Sequence, residues 1–356
     1  MRVAVTVLEV PWRAPLVASH GAGSGAGRRA GAGSRTLLLL TLAGDDGVSG
    51  YGEAAPLAGY DGVSIEAVTA ALTRCEPVLA ESDGVARERL LAECSKLAQL
   101  PEALAAIDLA LWDLAGRRAG EPVWRLLGAD RPPVVAVNAT IGAEQPAEAG
   151  EEAAAARASG FGCVKVKVGT GDDERRLAAV RAAVGSEMLI RIDANGAWAV
   201  ADAIDALGRL RVHRLELCEE PVHGLDQLAT VAAAVGMPPV AADESASDPE
   251  VFTAPRRFDA VCLKISRCGG ITGVLRDAAA ARGAGYEVYL ASTLDGPLGI
   301  AAALHAAAAL APDRHCGLAT LGRFDAPDPL PVSGGWMSPP QGSGLGDGLV
   351  DWYAAR

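Results

Sequence analysis

The chain has 356 residues, of which 50% are hydrophobic, and 32 basic against 44 acidic side chains give a net charge of −12. This length and hydrophobic content exclude a mainly disordered chain and suffice for two domains, or for one large barrel with an additional lobe. The negative charge disfavours nucleic acid and anionic membranes as partners, because both repel an acidic surface.

The seven cysteines are scattered, odd in number and without Cys-x-x-Cys spacing. This pattern predicts reduced thiols rather than a disulfide framework or a zinc site. The chain does not open with the basic, apolar and small-residue order of a signal peptide, and its apolar runs are too short or too interrupted to cross a bilayer. We therefore expect a cytoplasmic protein without a membrane partner.

The first 125 residues have the pattern of a small α+β domain. Apolar residues alternate over residues 1–9 and again over 36–42, which predicts two strands. Residues 19–35 between them are rich in Gly and predict a mobile loop. Residues 64–119 then carry apolar side chains at helical spacing. The sequence therefore predicts a self-contained α+β domain over residues 1–125.

Beyond Pro132 and Pro133, short β-rich runs alternate with Ala-rich helical stretches. Eight such runs occur, and they start 20 to 30 residues apart, as one strand, one helix and two loops require. This spacing predicts a (β/α)8-type barrel over residues 126–325, with an open doubly wound sheet as the alternative. Residues 326–356 are rich in Pro and Gly and are expected to pack back on the first domain.

Three consecutive runs end in acids, Asp193, Glu219 and Asp243, which lie 26 and 24 residues apart. One βα unit separates each pair, so the carboxylates would meet at the carboxyl ends of neighbouring strands, where parallel barrels carry their active sites. Crowded carboxylates repel one another unless a cation neutralises them, and hard oxygen ligands suit Mg²⁺, with Mn²⁺ as an alternative. The competing interpretation is that each acid caps a helix or forms a surface ion pair.

Lysines flank these acids. Lys165 and Lys167 share one face of a strand, with Lys167 nearer the mouth, and Lys264 ends a strand beyond the acids. An inward lysine is costly unless its pKa falls or a charge compensates it. Neighbouring lysines and Mg²⁺ both disfavour the ammonium form, so we expect pKa values lowered toward the range of a general base. Salt bridges to the acids are the alternative, and they are compatible with catalysis. A metal facing two lysines favours removal of a proton next to a carboxylate, with formation of an enediolate.

The segments VKVKVG, DANGAW, CEEP, ADES and LKISRCGG follow one another along the chain. Their order resembles the muconate-lactonizing-enzyme subgroup of the enolase superfamily. YGEAAPL at residues 51–57 is similar to the capping lobe of that family, so the resemblance implies that residues 1–125 form a capping domain, completed by the C-terminal segment. It also implies that the loop 19–35 closes over the substrate.

The resemblance implies roles for individual residues. It implies metal ligands at Asp193, Glu219 and Asp243, an acid/base pair at Lys167 and Lys264, a supporting role for Lys165, and ligand-orienting roles for Asn195 and Glu244. Glu220 stands where the family often has Gln, so Glu219 is the carboxylate expected to bind the metal.

The subgroup includes muconate cycloisomerases, o-succinylbenzoate synthases, N-succinylamino acid racemases and dipeptide epimerases. In the epimerases an Asp-x-Asp pair at the eighth strand holds the substrate ammonium, whereas this chain has CGLATLG at residues 316–322. The resemblance therefore favours an o-succinylbenzoate synthase of menaquinone synthesis. A racemase or a cycloisomerase is the alternative, a dipeptide epimerase is disfavoured, and a binding protein on a decayed barrel is the alternative outside enzymes.

Four residues are expected to touch the substrate, a small carboxylate. They are Ser292 and Thr293 at the end of the seventh run, Tyr60, and His20 in the Gly-rich loop. The oligomeric state cannot be read from the sequence, and a homo-oligomer stays among the alternatives.

Overall fold

The computed structural model describes residues 1–13, 33–81 and 83–355. The chain begins with a three-stranded antiparallel sheet and five helices. These elements are, in chain order, β1 (Arg2–Pro11), β2 (Ser34–Ala43), β3 (Ser49–Ala54), α1 (Ala58–Asp61), α2 (Ile65–Ala80), α3 (Arg87–Leu97), α4 (Pro101–Ala119) and α5 (Val123–Leu126). Most of the loop predicted over residues 19–35, including His20, lies outside the described residues.

Strand β2 is the centre of this sheet and contacts two hydrophobic cores. Leu38, Leu40 and Leu42 belong to the core formed with the helices, whereas Leu37 and Leu39 belong to the core of the barrel. Alternate side chains of a strand point to opposite faces, so a strand that is apolar at every position can pack on both sides. The leucines on the two faces of β2 therefore pack the first domain against the barrel.

The second domain alternates parallel strands with helices. Its strands are β4 (Val135–Ala136), β5 (Ala139–Ile141), β6 (Cys163–Lys167), β7 (Leu189–Asp193), β8 (Leu217–Glu219), β9 (Val240–Ala242), β10 (Ala260–Leu263) and β11 (Glu287–Leu290). Its helices are α6 (Pro146–Ala158), α7 (Asp173–Val184), α8 (Val200–Leu210), α9 (Leu225–Val235), α10 (Ile265–Cys268), α11 (Ile271–Gly283) and α12 (Pro297–Leu310). No helix of the described residues has both the length and the apolar character needed to cross a membrane.

Strands β5 to β11 pair in sequence order as one parallel, seven-stranded sheet. The eighth predicted run closes it, because Cys316 forms a parallel bridge with Val137 and Gly317 forms one with Ala291. The peptide N–H of Gly317 donates to the carbonyl of Leu290 at 2.8 Å. The (β/α)8-type barrel with an α+β cap that the sequence predicts is therefore confirmed.

The structure differs from the predicted pattern in two places. The first run divides, because β4 pairs antiparallel with β12 (Trp336–Met337) of the C-terminal segment and only β5 enters the barrel sheet. After β9, two 3₁₀ helices, Glu244–Ser247 and Pro249–Phe252, stand where a long helix would complete the unit. Pro249 accounts for the interruption, since proline favours the first turn of a helix and disrupts its interior.

The C-terminal segment contacts both domains. Tyr353 on the last helix, α13 (Leu349–Ala354), donates its hydroxyl to Glu53 of β3. The same hydroxyl accepts the peptide N–H of Leu298 in α12 at 3.0 Å. One buried phenol therefore connects the tail, the capping sheet and a barrel helix, which agrees with the predicted completion of the cap by the tail.

His305 makes a second connection of this kind. Its Nδ1 accepts the peptide N–H of Trp124 at 3.1 Å, and its Nε2 lies 3.1 Å from the carbonyl of Leu345, to which it donates. The ring is fully buried in α12. Burial disfavours the imidazolium ion and lowers the pKa of His305 to about 4. The histidine is therefore neutral at pH 7 and holds three chain segments together.

We expect the free energy of unfolding to fall between pH 6.5 and pH 4, because unfolded His305 binds a proton with its ordinary pKa of 6.5 and the folded residue does so only near 4. The contribution is fully present above the unfolded pKa and lost as the pH falls toward the folded pKa, by about 3 kcal/mol in total. Urea denaturation of the wild type and of His305→Gln, near pH 7 and near pH 4.5, measures this contribution to the free energy of unfolding. If the difference in free energy of unfolding between the two proteins did not depend on pH, His305 would not be the source of the pH dependence.

Candidate active site

Neighbouring barrel strands bring the predicted acids and lysines to one mouth. Lys167 lies beside Asp193 in the register of β6 and β7, and Asp193 lies beside Glu219 in that of β7 and β8. Residues paired across parallel strands point to the same face, so these side chains share the inner face of the barrel. Asp243 directly follows β9, and Lys264 directly follows β10. The five residues thus stand at the carboxyl ends of five consecutive strands.

The carboxylate of Asp193 lies between two ammonium groups. Its Oδ2 is 2.8 Å from Nζ of Lys165 and 2.6 Å from Nζ of Lys167. Lys165 also donates to Glu219, whose other oxygen accepts the hydroxyl of Tyr289 at 2.7 Å. The side chain of Lys165 is 11% exposed and that of Lys167 is 31% exposed. Lys165 therefore bridges two carboxylates in the interior, and Lys167 stands nearer the mouth.

Lys264 forms a second cationic centre, to which the capping domain contributes. Its Nζ forms an ion pair with Asp243 and donates to the hydroxyl of Tyr60 in α1. Arg267, one helical turn further on, donates to the same hydroxyl at 3.3 Å and to the carbonyl of Glu244 at 3.2 Å. Tyr60 therefore joins the capping domain to the barrel at Lys264.

The ionisation of the lysines differs from what the sequence predicts. Burial lowers the pKa of Lys165, but the attraction of Asp193 and Glu219 outweighs burial and raises the pKa well above its ordinary value. Burial and Asp243 oppose each other in the same way at Lys264, whose pKa is also raised. At Lys165 and Lys264 the attraction of the carboxylates outweighs burial, so both pKa values are raised where the sequence predicts lowered ones, and the lowering expected from Mg²⁺ stays a prediction.

Asn195 and Glu244 extend the network around Lys167. Oδ1 of Asn195 accepts Nζ of Lys167 at 2.7 Å, and its Nδ2 donates to Oε1 of Glu244 at 2.9 Å. Burial and the neighbouring Asp243 raise the pKa of Glu244 to about 8. Asn195 therefore fixes the position of the Lys167 ammonium, and a protonated Glu244 stands behind it at pH 7.

Glu220, for which the motif order predicts no role, organises the mouth. Its fully buried carboxylate accepts the peptide N–H groups of Asp243 at 2.8 Å and of Ser245 at 3.1 Å. It therefore positions the turn that carries Asp243. The second acid of the CEEP motif was the available signal, and Arg267 within LKISRCGG was the corresponding signal for the contact with Tyr60.

Ser292 and Thr293 lie at the mouth, but their hydroxyls already have partners. Oγ1 of Thr293 donates to Asp295 at 2.8 Å and lies 2.9 Å from Oγ of Ser266. Oγ of Ser292 accepts the peptide N–H of Asp295 at 3.0 Å and the hydroxyl of Thr320 at 3.1 Å. These bonds hold the loop after β11, and a substrate would have to share the hydroxyls with it.

The carboxylates offer the chemistry that a hard divalent cation requires. Asp193, Glu219 and Asp243 are each at least 95% buried, and an ammonium already contacts each one, so the site is built to hold positive charge among oxygen atoms. Ligand atoms of Glu219, Asp243 and Cys262 lie within 4.8 Å of one another, and Asp193 does not join this group. The carboxylate oxygens of the three acids are donors of the kind that Mg²⁺ prefers, and Lys167 and Lys264 stand on the strands before and after them. Such an arrangement can move a proton next to a bound carboxylate.

A barrel with an α+β cap, and with three consecutive acids flanked by lysines at its mouth, defines the class of this protein. Residues 2–128 match the family described as "Mandelate racemase / muconate lactonizing enzyme, N-terminal domain", and residues 148–351 match "Enolase C-terminal domain-like". The chain belongs to the mandelate racemase/muconate lactonizing enzyme group of the enolase superfamily, as the motif order predicts.

The relatives are enzymes. A hydrophobic dipeptide epimerase of Roseobacter litoralis is 34% identical over 74% of this chain and 78% of its own. An o-succinylbenzoate synthase of Thermobifida fusca is 38% identical over 64% of this chain and 73% of its own. A crystal structure of the Enterococcus faecalis dipeptide epimerase, complexed with Mg and the dipeptide L-Leu-L-Tyr, has a TM-score of 0.84 at 26% identity and covers 96% of this chain and 98% of that one. The prediction of an enzyme is confirmed.

We expect Lys165→Met to lower the free energy of unfolding by about 3 kcal/mol in metal-free buffer, because it leaves the buried carboxylate of Glu219 without its cation. Lys167→Met, a change of the same size at a more exposed lysine, should lower the free energy of unfolding clearly less. Denaturant titrations of both variants measure the difference. Equal losses would show that Lys165 does not bridge the two carboxylates.

Proposed function

We propose that this enzyme removes a proton next to a carboxylate with the help of Mg²⁺, and that it is an o-succinylbenzoate synthase. Its substrate would be a cyclohexadiene carboxylate that carries a hydroxyl on the carbon next to the acidic position. Loss of the proton and of the hydroxyl as water would leave an aromatic ring. The lysines on opposite sides of the three acids support removal of the proton. The residues at the end of the eighth strand support the choice of substrate.

Asp193, Glu219 and Asp243 would hold the metal. Bound there, Mg²⁺ would supply positive charge that offsets the charge developing on the substrate carboxylate and that disfavours protonation of the neighbouring lysines. The Mg in the related epimerase structure supports this choice of ion.

The protein's own side chains divide the remaining work. Lys167 is the more exposed lysine at the mouth, and Asn195 holds its Nζ, so we assign it removal of the proton. Lys264 remains an ammonium, held by Asp243 and Tyr60, and supplies charge on the other side of the substrate. Lys167 then returns its proton to the departing hydroxyl. One base and one fixed cation suffice for this elimination.

The observation that carries the choice of substrate is the absence of an acid from the closing segment of the barrel. Residues 316–321 read Cys-Gly-Leu-Ala-Thr-Leu, and Gly317 bridges the last strand at the mouth. The next acid, Asp325, is exposed and its peptide N–H donates to Pro11 of β1. A substrate ammonium would therefore find no carboxylate in this segment, whereas a substrate without an amine needs none.

A dipeptide epimerase is the second candidate, because the epimerase of Roseobacter litoralis is similar over a longer part of the chain than the synthase of Thermobifida fusca. A racemase of N-succinyl amino acids would make demands on the site that fall between those of the synthase and those of the epimerase. It needs both lysines as acid and base but no partner for an ammonium. The three activities therefore make different demands on Lys264 and on the eighth strand.

We expect the purified enzyme with Mg²⁺ to form o-succinylbenzoate, to racemise N-succinyl amino acids more slowly, and to leave unblocked dipeptides unchanged. The reason is that the closing segment can accept an acylated nitrogen but offers no charge to an ammonium. Absorbance of the aromatic product and chiral chromatography measure the three reactions. A dipeptide with the highest kcat/KM of the panel would contradict the proposal in favour of an epimerase.

Arginine substitutions separate the two lysines, because arginine keeps the charge but does not act as a base at neutral pH. Lys167→Arg should lower kcat for both elimination and racemisation by about 1,000-fold or more. Lys264→Arg should abolish racemisation to the same extent and lower elimination only about 10- to 100-fold. Exchange of the substrate α-proton in deuterated water checks each half-reaction. An elimination that tolerates Lys167→Arg but not Lys264→Arg would reverse the assignment.

A further inference from the structure

Cys262 places a thiol beside two of the carboxylates at the mouth. It lies on β10, is 3% exposed, and offers a sulfur atom within 4.8 Å of carboxylate oxygens of both Glu219 and Asp243. Cys262 and Lys264 are two positions apart, so their side chains leave the strand on the same, inner face. The thiol is therefore part of the wall of the cation site rather than of the outer core.

The thiol of Cys262 is also free to accept a ligand. No described residue forms a hydrogen bond with it, whereas the thiols of Cys75, Cys163 and Cys316 each contact a backbone carbonyl at 3.6 to 3.8 Å. A buried, unpartnered sulfur that faces two carboxylates has the composition of a mixed oxygen and sulfur site. Such sites prefer softer ions than Mg²⁺, because thiolate binds Zn²⁺ and Cd²⁺ strongly and Mg²⁺ poorly.

We propose that Glu219, Asp243 and Cys262 form a site for a soft divalent cation such as Zn²⁺ or Cd²⁺, which shares two carboxylates with the Mg²⁺ site and excludes Mg²⁺ when occupied. Asp193 takes no part in this set, because the group of ligand atoms that lie within 4.8 Å of one another does not include its carboxylate. Binding of the ion exchanges the thiol proton for the metal and releases the proton to solvent. The competition with Mg²⁺ rests on the proposed function, whereas the binding of the soft ion does not.

The surroundings supply a charge balance. A cavity of about 450 Å³ adjoins Asp243, Cys262 and Lys264 and is bounded on its other side by residues of α11 and of the 3₁₀ helix Pro249–Phe252. Three ligand charges exceed the charge of the ion by one, and the ammonium groups of Lys165 and Lys264 adjoin Glu219 and Asp243. The same ion would compete with Lys264 for Asp243 and so displace the fixed cation of the proposed mechanism.

Titration of the full-length protein with Cd²⁺ tests the site without an activity assay. We expect one equivalent of Cd²⁺ to produce the ultraviolet charge-transfer absorption of a cadmium thiolate, and Cys262→Ser to lose this absorption. Its Cd²⁺ affinity should fall by at least about 10- to 100-fold, the range that changes around metal ligands already cause. Cys163→Ser, which alters another buried barrel thiol, is the matched control and should bind as the wild type does.

Competition tests the shared carboxylates. Added Mg²⁺ should raise the apparent dissociation constant of Cd²⁺ in proportion to its concentration in the wild type. Calorimetry should show unchanged Mg²⁺ binding by Cys262→Ser and by Cys262→Ala, which also shows that both variants are folded. Zn²⁺ should inhibit whichever reaction the enzyme catalyses, and inhibition of Cys262→Ser should need at least about ten times more Zn²⁺.

Three results would overturn the inference. They are no thiolate absorption in the wild type, absorption that persists in Cys262→Ser, and Cd²⁺ binding that Mg²⁺ does not affect. The proposed function fails separately, since an enzyme that forms no o-succinylbenzoate can still show the absorption and lose it in Cys262→Ser. A positive titration combined with a different substrate would leave the soft-cation site standing.

Discussion

Mutual neutralisation of buried charges is the constraint on which the mouth of this barrel depends. An isolated carboxylate or ammonium in the interior would be strongly destabilising. Here Lys165 contacts two acids, Asp193 contacts two lysines, and Lys264 contacts Asp243. Loss of Lys165 would leave Glu219 without the ammonium that contacts it, and loss of Lys264 would do the same to Asp243. The strand register therefore determines at once where the charges lie and how they are compensated.

The same constraint explains why the cap is fixed to the barrel by polar contacts as well as by leucines. Arg35, at the start of β2, donates to the carbonyls of Ala55 and Pro56 in the cap and of Thr293 in the barrel. Tyr60 reaches Lys264 from the other side. Each contact joins a capping segment to a loop at the carboxyl end of a barrel strand. The cap thus takes part in positioning the mouth.

The sequence could predict the architecture because its signals are local and periodic. The repeated βα spacing indicated the barrel, and the strand-ending positions of Asp193 and Lys264 placed both at the mouth. It could not predict partners that depend on side-chain geometry between distant segments. The role of Glu220 was not predictable, because nothing in CEEP shows that its carboxylate would bind the turn carrying Asp243. The direction of the pKa shifts of Lys165 and Lys264 was also out of reach, since it depends on direct contacts with carboxylates that spacing does not give.

Backbone conformation at the mouth shows why such contacts are needed. Asn195, Glu220 and Leu294 have φ values of +45°, +39° and +63°, a backbone region that residues other than glycine rarely adopt. They follow β7, β8 and the seventh strand β11, so all three lie at the carboxyl ends of barrel strands. A strained conformation persists only where the surroundings hold it. Lys167 and Glu244 hold the side chain of Asn195, peptide groups hold that of Glu220, and Arg35 donates to the carbonyl of Leu294 at 3.3 Å. The mouth is therefore shaped by contacts from several elements together.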